Sequence, residues 1–394
     1  MFRRGRFHGG NCLVAEPATT AYVRAAPSQP GARLVSLDAL RGITVVGMIV
    51  VNSAAYLKYV DRFDAYPILL HSDWAGVTLA DLVFPAFLVM VGASIPFSLG
   101  AAKAGSLDRQ TAAKIFWRSV RLIIAGLLIS NLYWLADFAH NSFRPFGVLQ
   151  RIGLCYFAAA LLYLIAAWRL RLGLAALVLL LYWPLTLIAF PDGHTNLYAA
   201  GANFVSWFDR AALGVHAYVK GPLGYDPEGI LSTLPAIAQT LLGTLVGEWL
   251  LRHRERTAAP GTMALAGVAL LLLGALWAVF FPPVKSIWTS SYVLITTGAT
   301  LLPWALCHWA LDVKQRRIWG TEFFVAFGLN AIFAYILHEL ASLMLAGDAM
   351  RWFDVVASRV LAPKAAALVP VIVFVMIVWL PVRYLYRRNW IVRI

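Results

Sequence analysis

Apolar runs of about 20 residues recur along almost the whole chain, each long enough as a helix to cross a hydrocarbon core of ~30 Å. No water in that core can satisfy a bare N–H or C=O, so such runs are read as helices that bond internally. They fall at 37–57, 77–99, 116–136, 147–168, 172–190, 229–251, 262–281, 287–309, 321–345 and 364–386. Only 13% of the 394 residues are charged and 61% are hydrophobic, against about 25% and 45–50% in soluble domains. A secreted, cytosolic or disordered protein is excluded, and the expected fold is an all-α polytopic membrane protein with about ten transmembrane helices.

The net charge of +14 would suggest nucleic acid in a soluble chain. Here the basic residues sit between spans. With the N-terminus cytoplasmic, Arg3, Arg4, Arg6, Arg24, Arg33, Arg41, Lys103, Arg109, Lys114, Arg118 and Arg121 all fall on the inner face. Arg169, Arg171, Arg252, Arg254, Arg256, Lys314, Arg316, Arg317, Arg383, Arg387, Arg388 and Arg393 join them, while most acids fall outside. This is the positive-inside pattern for an even number of spans with both termini cytoplasmic. Topology accounts for the basicity, and no nucleic-acid partner is expected.

Residues 1–32 have no apolar h-region and read as a disordered basic cytoplasmic leader, followed by a single membrane domain over 33–394. Cys12, Cys155 and Cys307 avoid the outer loops, so no structural disulfide is expected. No internal repeat, Walker loop or metal-spaced His/Cys cluster is evident, so no metal is expected. The long outer segment 191–228 is large enough to form a lid or a pocket wall.

Polar residues inside spans are costly and therefore informative, at about 2.5–3.5 kcal/mol each near mid-helix. By depth, Asn52, Asp81, Arg151, Ser291, Tyr292, His338 and Glu339 share the outer third, beneath the loops carrying His71 and Tyr225-Asp226-Pro227-Glu228-Gly229. Together they could line one polar cavity. At the inner end, Arg118 and Arg121 lie three residues apart on one helix and with Arg41 offer fixed charge suited to a cytosolic polyanion such as a coenzyme phosphate. The same arginines also suit simple headgroup anchoring. Asp38 and Arg41 fit a helix-starting ion pair, and Asp81 with Arg151 a structural intramembrane pair. Chemistry and transport through the membrane both remain open at this point.

Three stretches are more distinctive: Arg33-Leu-Val-Ser-Leu-Asp38-Ala-Leu-Arg41-Gly42, then His71-Ser-Asp-Trp74-Ala-Gly76-Val-Thr78-Leu-Ala-Asp81-Leu-Val-Phe84-Pro85, then Arg144-Pro-Phe-Gly147-Val-Leu-Gln150-Arg151. These closely resemble the heparan-alpha-glucosaminide N-acetyltransferase family of transmembrane acyltransferases. Tyr225–Gly229, Trp288-Thr-Ser-Ser291-Tyr292 and His338-Glu339 resemble further motifs of it, in order, over roughly residue 33 to the C-terminus. The resemblance implies transfer of acetyl from cytosolic acetyl-CoA to an amine of glucosamine, or of a glucosamine-containing saccharide, on the far side of the membrane. It aligns His71 with the family's catalytic histidine and Asn52 with its catalytic asparagine. The compact form, without a large N-terminal lumenal domain, is similar to bacterial inner-membrane homologues, and homodimerisation is a family-based expectation.

On this reading His71 is a general base or a nucleophile toward the thioester, and Asn52 donates to the developing oxyanion. Asp81 either fixes the His71 tautomer or pairs with Arg151. Arg41, Arg118 and Arg121 would bind the CoA phosphates. Trp74, Asp226, Glu228, Ser291, Tyr292, His338 and Glu339 would surround the acceptor. The competing readings are an amino-sugar or oligosaccharide transporter and an O-acetyltransferase of a surface glycan.

Overall fold

The computed structural model describes residues 34–59, 63–103, 108–191, 193–253, 256–316, 318–345 and 348–392. The leader expected over 1–32 lies outside these. Among the described residues there is no β-strand, only three isolated bridges, and the chain is an all-α polytopic membrane protein. Eight helices are long and apolar enough to cross a bilayer. They are α1 (Val35–Tyr59), α2 (Leu79–Lys103), α4 (Val148–Ile165), α5 (Trp168–Thr186), α7 (Thr233–His253), α8 (Ala259–Ala278), α9 (Ser290–Cys307, continued by a π-turn His308–Val313) and α13 (Pro363–Arg387). Helix α3 (Arg109–Ser130) lies before α4, α6 (Phe204–Leu213) lies within the outer segment, and α10 (Thr321–Leu329), α11 (Ala331–Leu345) and α12 (Asp348–Ala357) precede α13.

Two of the ten expected spans differ from simple helices, each because an asparagine interrupts it. The run 321–345 is bent by 85° between α10 and α11, where the Asn330 carboxamide oxygen accepts the Val392 N–H at 2.9 Å. Broken backbone at membrane depth is tolerated where it is buried or lines a cavity, and Gly328, Leu329, Ala331 and Ile332 at this bend do line one. The run 116–136 ends as α3 at Ser130; Asn131 breaks it by donating to the carbonyls of Leu127 and Arg144 and accepting the Arg144 N–H. Because α3 begins earlier than expected, it carries Arg109 and Lys114 ahead of Arg118 and Arg121.

The helices pack as two groups. One joins α2, α4, α7 and α9 around Leu88, Tyr156, Leu241, Trp288 and Tyr292. The other joins α1, α10 and α13 around Ile49, Phe327 and Phe374. Small residues bring backbones together where lipid offers no hydrophobic drive. Gly243 and Gly247 of α7 sit against the backbone of Val89 and Ala93 on α2, and Gly328 sits against Asp38 of α1. A side chain at any of these would collide with main chain. Between the two groups runs the cavity that contains the site.

Candidate active site

The site begins at the N-terminus of α2, where Thr78 precedes the helix and Asp81 falls in its first turn. One Asp81 carboxylate oxygen accepts from the Thr78 N–H (3.0 Å), the Thr78 hydroxyl (3.0 Å) and the Ser72 N–H (3.1 Å). This is the carboxylate half of a capping box, and it folds the 71–78 loop back over the helix end. The other oxygen lies 2.8 Å from His71 Nδ1. A carboxylate there requires the proton on Nδ1, which leaves Nε2 as the accepting nitrogen of the ring. Asp81 is fully buried, whereas the His71 side chain is 43% exposed and lines the cavity. Of the two roles left open for Asp81, the structure has the His71 contact. Arg151 instead donates to the Gly229 carbonyl and the Ser232 hydroxyl and lies over the Trp288 ring.

A lysine unforeseen from the sequence completes this corner. Lys285 Nζ lies 3.0 Å from His71 Nδ1, 3.1 Å from Nε2 and 3.7 Å from Asp81 Oδ1. Burial holds its basicity below that of an ordinary lysine, an effect that Asp81 and Glu228 offset only in part. Its loop, between α8 and α9, is tied to the His71 loop by the Ala75–Val284 bridge and by the Gly76 N–H donating to the Pro283 carbonyl at 2.8 Å. Trp288, at φ +53°, closes the loop, and the motif after it supports it. Thr289 accepts from the Val284 N–H, Ser290 donates to the Leu179 carbonyl, Ser291 to Phe281 and Tyr292 to Asp81. Ser291 and Tyr292 are thus fully buried behind the cavity and position Asp81 and Lys285 rather than face a ligand. Trp74 is also buried; its N–H donates to the Leu197 carbonyl and its ring meets Tyr225 edge-on, holding the loop to the outer segment.

Around the same end, Asn52 lines the cavity with its carboxamide nitrogen 3.4 Å from His338 Nε2. His338 is buried against Phe374 and backs Asn52. Glu228 and Glu339 both line the cavity. Arg144 pairs with Glu228 at 2.5 Å and with Asp226 at 3.4 Å, over the Tyr218 ring. Burial opposes the Arg144 charge, but Glu228 and Asp226 outweigh it and raise its basicity. Asp226 is fully buried, its carboxyl pushed up by burial and then by Glu228. Tyr218, Pro227 and Glu228 make the outer segment and its continuation part of the cavity wall.

The opposite end is cationic. Arg41 bonds Asp38 and Ser94 at 3.2 and 2.8 Å, so the anticipated helix-starting pair exists, yet Arg41 also lines the cavity. Arg118 lines it too, its guanidinium over Tyr156, and its buried Nε has no hydrogen-bond partner. Arg121 is exposed outside the cavity and donates to the Trp117 carbonyl. Between the ends the walls are apolar, with Phe84, Phe87, Val91, Leu122 and Ile152. The cavity holds about 670 Å³. Arg41 and Asn52 stand on one helix, separated by roughly 16 Å at 1.5 Å per residue. An elongated ligand, anionic at one end and reactive at the other, matches this shape.

Residues 33–281 match the family described as "Heparan-alpha-glucosaminide N-acetyltransferase, catalytic". The chain is 30% identical to the human heparan-alpha-glucosaminide N-acetyltransferase over 362 residues, covering 78% of this chain and 53% of the human protein. It is 28% identical to the mouse protein over 384 residues, covering 84% and 57%. The chain thus spans about half the length of the curated relatives it matches.

Proposed function

This chain belongs to the heparan-alpha-glucosaminide N-acetyltransferase family, and from that premise we propose that it moves acetyl from cytosolic acetyl-CoA to an amine of glucosamine, or of a glucosamine-containing saccharide, across the membrane. The observation that carries this reading is the single cavity joining Arg41 and Arg118 at one end to His71 and Asn52 at the other. In it the CoA phosphates meet the arginines, the pantetheine arm lies along the apolar walls, and the thioester reaches His71. The arginine-rich face is cytoplasmic by the positive-inside pattern, which fits a bacterial inner membrane.

His71 Nε2 takes the proton of the attacking amine as general base, while Asp81 holds the ring. Asn52 donates to the thioester oxygen as charge develops, a role worth about 2.7–4 kcal/mol in comparable sites. Glu339 lines the cavity without an ion pair among the described residues, unlike Glu228, which Arg144 neutralises. Glu339 is therefore the carboxylate to hold a cationic acceptor.

The direct test is transfer from labelled acetyl-CoA to glucosamine by the purified full chain. No transfer but saturable CoA binding would point to a hydroxyl acceptor; neither would favour a transporter. Arg118→Ala should raise the KM for acetyl-CoA about 10- to 100-fold, the scale of one or two charged hydrogen bonds, with the acceptor KM unchanged. An equal rise in both would return Arg118 to a packing role. Glu339→Gln should raise the acceptor KM about tenfold and leave that for acetyl-CoA unchanged, as separate substrate titrations would read.

A further inference from the structure

Lys285 has no place in the chemistry above, yet its Nζ is within 3.1 Å of both His71 nitrogens. Such a contact is costly to keep without purpose, because an ammonium beside imidazole opposes protonation of the ring. The lysine is also not left there by chance of a loose loop. The Ala75–Val284 bridge, the Thr289 hydroxyl and the left-handed Trp288 fix its backbone.

We propose that Lys285 is a positioning residue that sets His71 to work as a base and not as a nucleophile. The inference rests on the acyltransferase reading. If Nε2 attacked the thioester while Nδ1 kept its proton for Asp81, the product would be an acetylimidazolium cation lying against the Lys285 ammonium. In direct transfer the acceptor ammonium first loses one proton to solvent; the free amine nitrogen then forms the C–N bond, the C–S bond breaks, and its second proton passes through His71 Nε2 to the CoA sulfur. The imidazolium then exists only between two proton transfers. Asp81 alone would favour a long-lived cation on the ring; Lys285 counters it. The other charged or titratable groups at this end include Asp73 in the His71 loop, Tyr292 behind Asp81, Tyr218, Tyr225, Asp226 and Glu228 with Arg144 on the outer segment side, and Tyr335, His338 and Glu339 on α11. Helix α1 contributes the neutral Asn52 to the cavity wall here. The charges in hydrogen-bond contact with the His71 ring are Asp81 and Lys285.

The test compares wild type, Lys285→Met and Lys285→Arg as full chains in lipid nanodiscs. Removing the positive charge favours protonated His71, so the acid limb of kcat/KM should move to higher pH by about one unit or more in Lys285→Met. Lys285→Arg should keep the wild-type limb. Incubated with acetyl-CoA and no acceptor, Lys285→Met should accumulate acetyl on His71 by mass spectrometry, and wild type should not. The pH midpoint for modification of His71 by diethylpyrocarbonate reads the same ionisation without turnover, and should rise by the same amount. An unchanged midpoint in a folded Lys285→Met, or acetyl-His71 in wild type, would overturn the proposal. If wild type neither transfers acetyl nor binds CoA, the acyltransferase reading fails while the midpoint still decides whether Lys285 governs His71.

Discussion

Replacing His71 with alanine is expected to lower acetyl transfer by about 10²–10⁴-fold, the usual worth of a positioned acid–base group, while fold and acetyl-CoA affinity are retained. The separation of the two effects follows from the geometry. His71 is 43% exposed, so its removal costs little packing. Asp81 loses one partner but keeps three donors from Thr78 and Ser72 and the nearby Lys285. The arginines that face the proposed CoA phosphates are at the far end of the cavity, Arg41 lying roughly 16 Å from Asn52 along α1. Turnover at saturating substrates, CoA binding by calorimetry and thermal melting together check this. A loss below tenfold would remove the imidazole from the proton transfer.

The membrane helices and the grouping of His71 with Asp81 are legible in the sequence for different reasons. Span length and hydropathy are averages over many residues, so eight spans and the bent pair could be located from composition alone. The same averaging hides Asn131 and Asn330, each a single polar residue whose side chain trades helix continuity for bonds to a distant segment. The string from His71 to Pro85 could be read closely because one buried carboxylate, Asp81, dictates the loop, the helix start and the histidine together. Other motif residues misled for the opposite reason. Ser291 and Tyr292 look like polar contacts for a ligand, but each spends its hydroxyl on a backbone carbonyl, which sequence spacing cannot reveal. Arg118 and Arg121, neighbours on one helix, part company because the cavity edge passes between them. Lys285 was invisible as chemistry: a lone lysine in a short loop counts as one more topological charge until the fold brings two loops within hydrogen-bond distance.

The same economy makes Asp81→Asn the most informative single-atom change in the protein. The expected loss in kcat is on the order of 10⁴-fold, the scale found when the carboxylate of an Asp–His pair becomes an amide. An asparagine offers one acceptor oxygen and one donor nitrogen where Asp81 offers two acceptors. If the oxygen stays with the Thr78 and Ser72 donors, the amide N–H₂ faces His71 Nδ1, which must become the acceptor. The ring proton then moves to Nε2, and the base is lost although every heavy atom stays in place. If the amide turns over, its N–H₂ meets the Ser72 and Thr78 N–H groups, leaving buried donors unsatisfied at about 1–3 kcal/mol each and loosening the loop. The first outcome preserves thermal stability and acetyl-CoA affinity; the second lowers the melting temperature as well as activity. Both abolish efficient transfer, so a folded Asp81→Asn retaining more than a tenth of wild-type kcat would show that the His71 tautomer is set elsewhere.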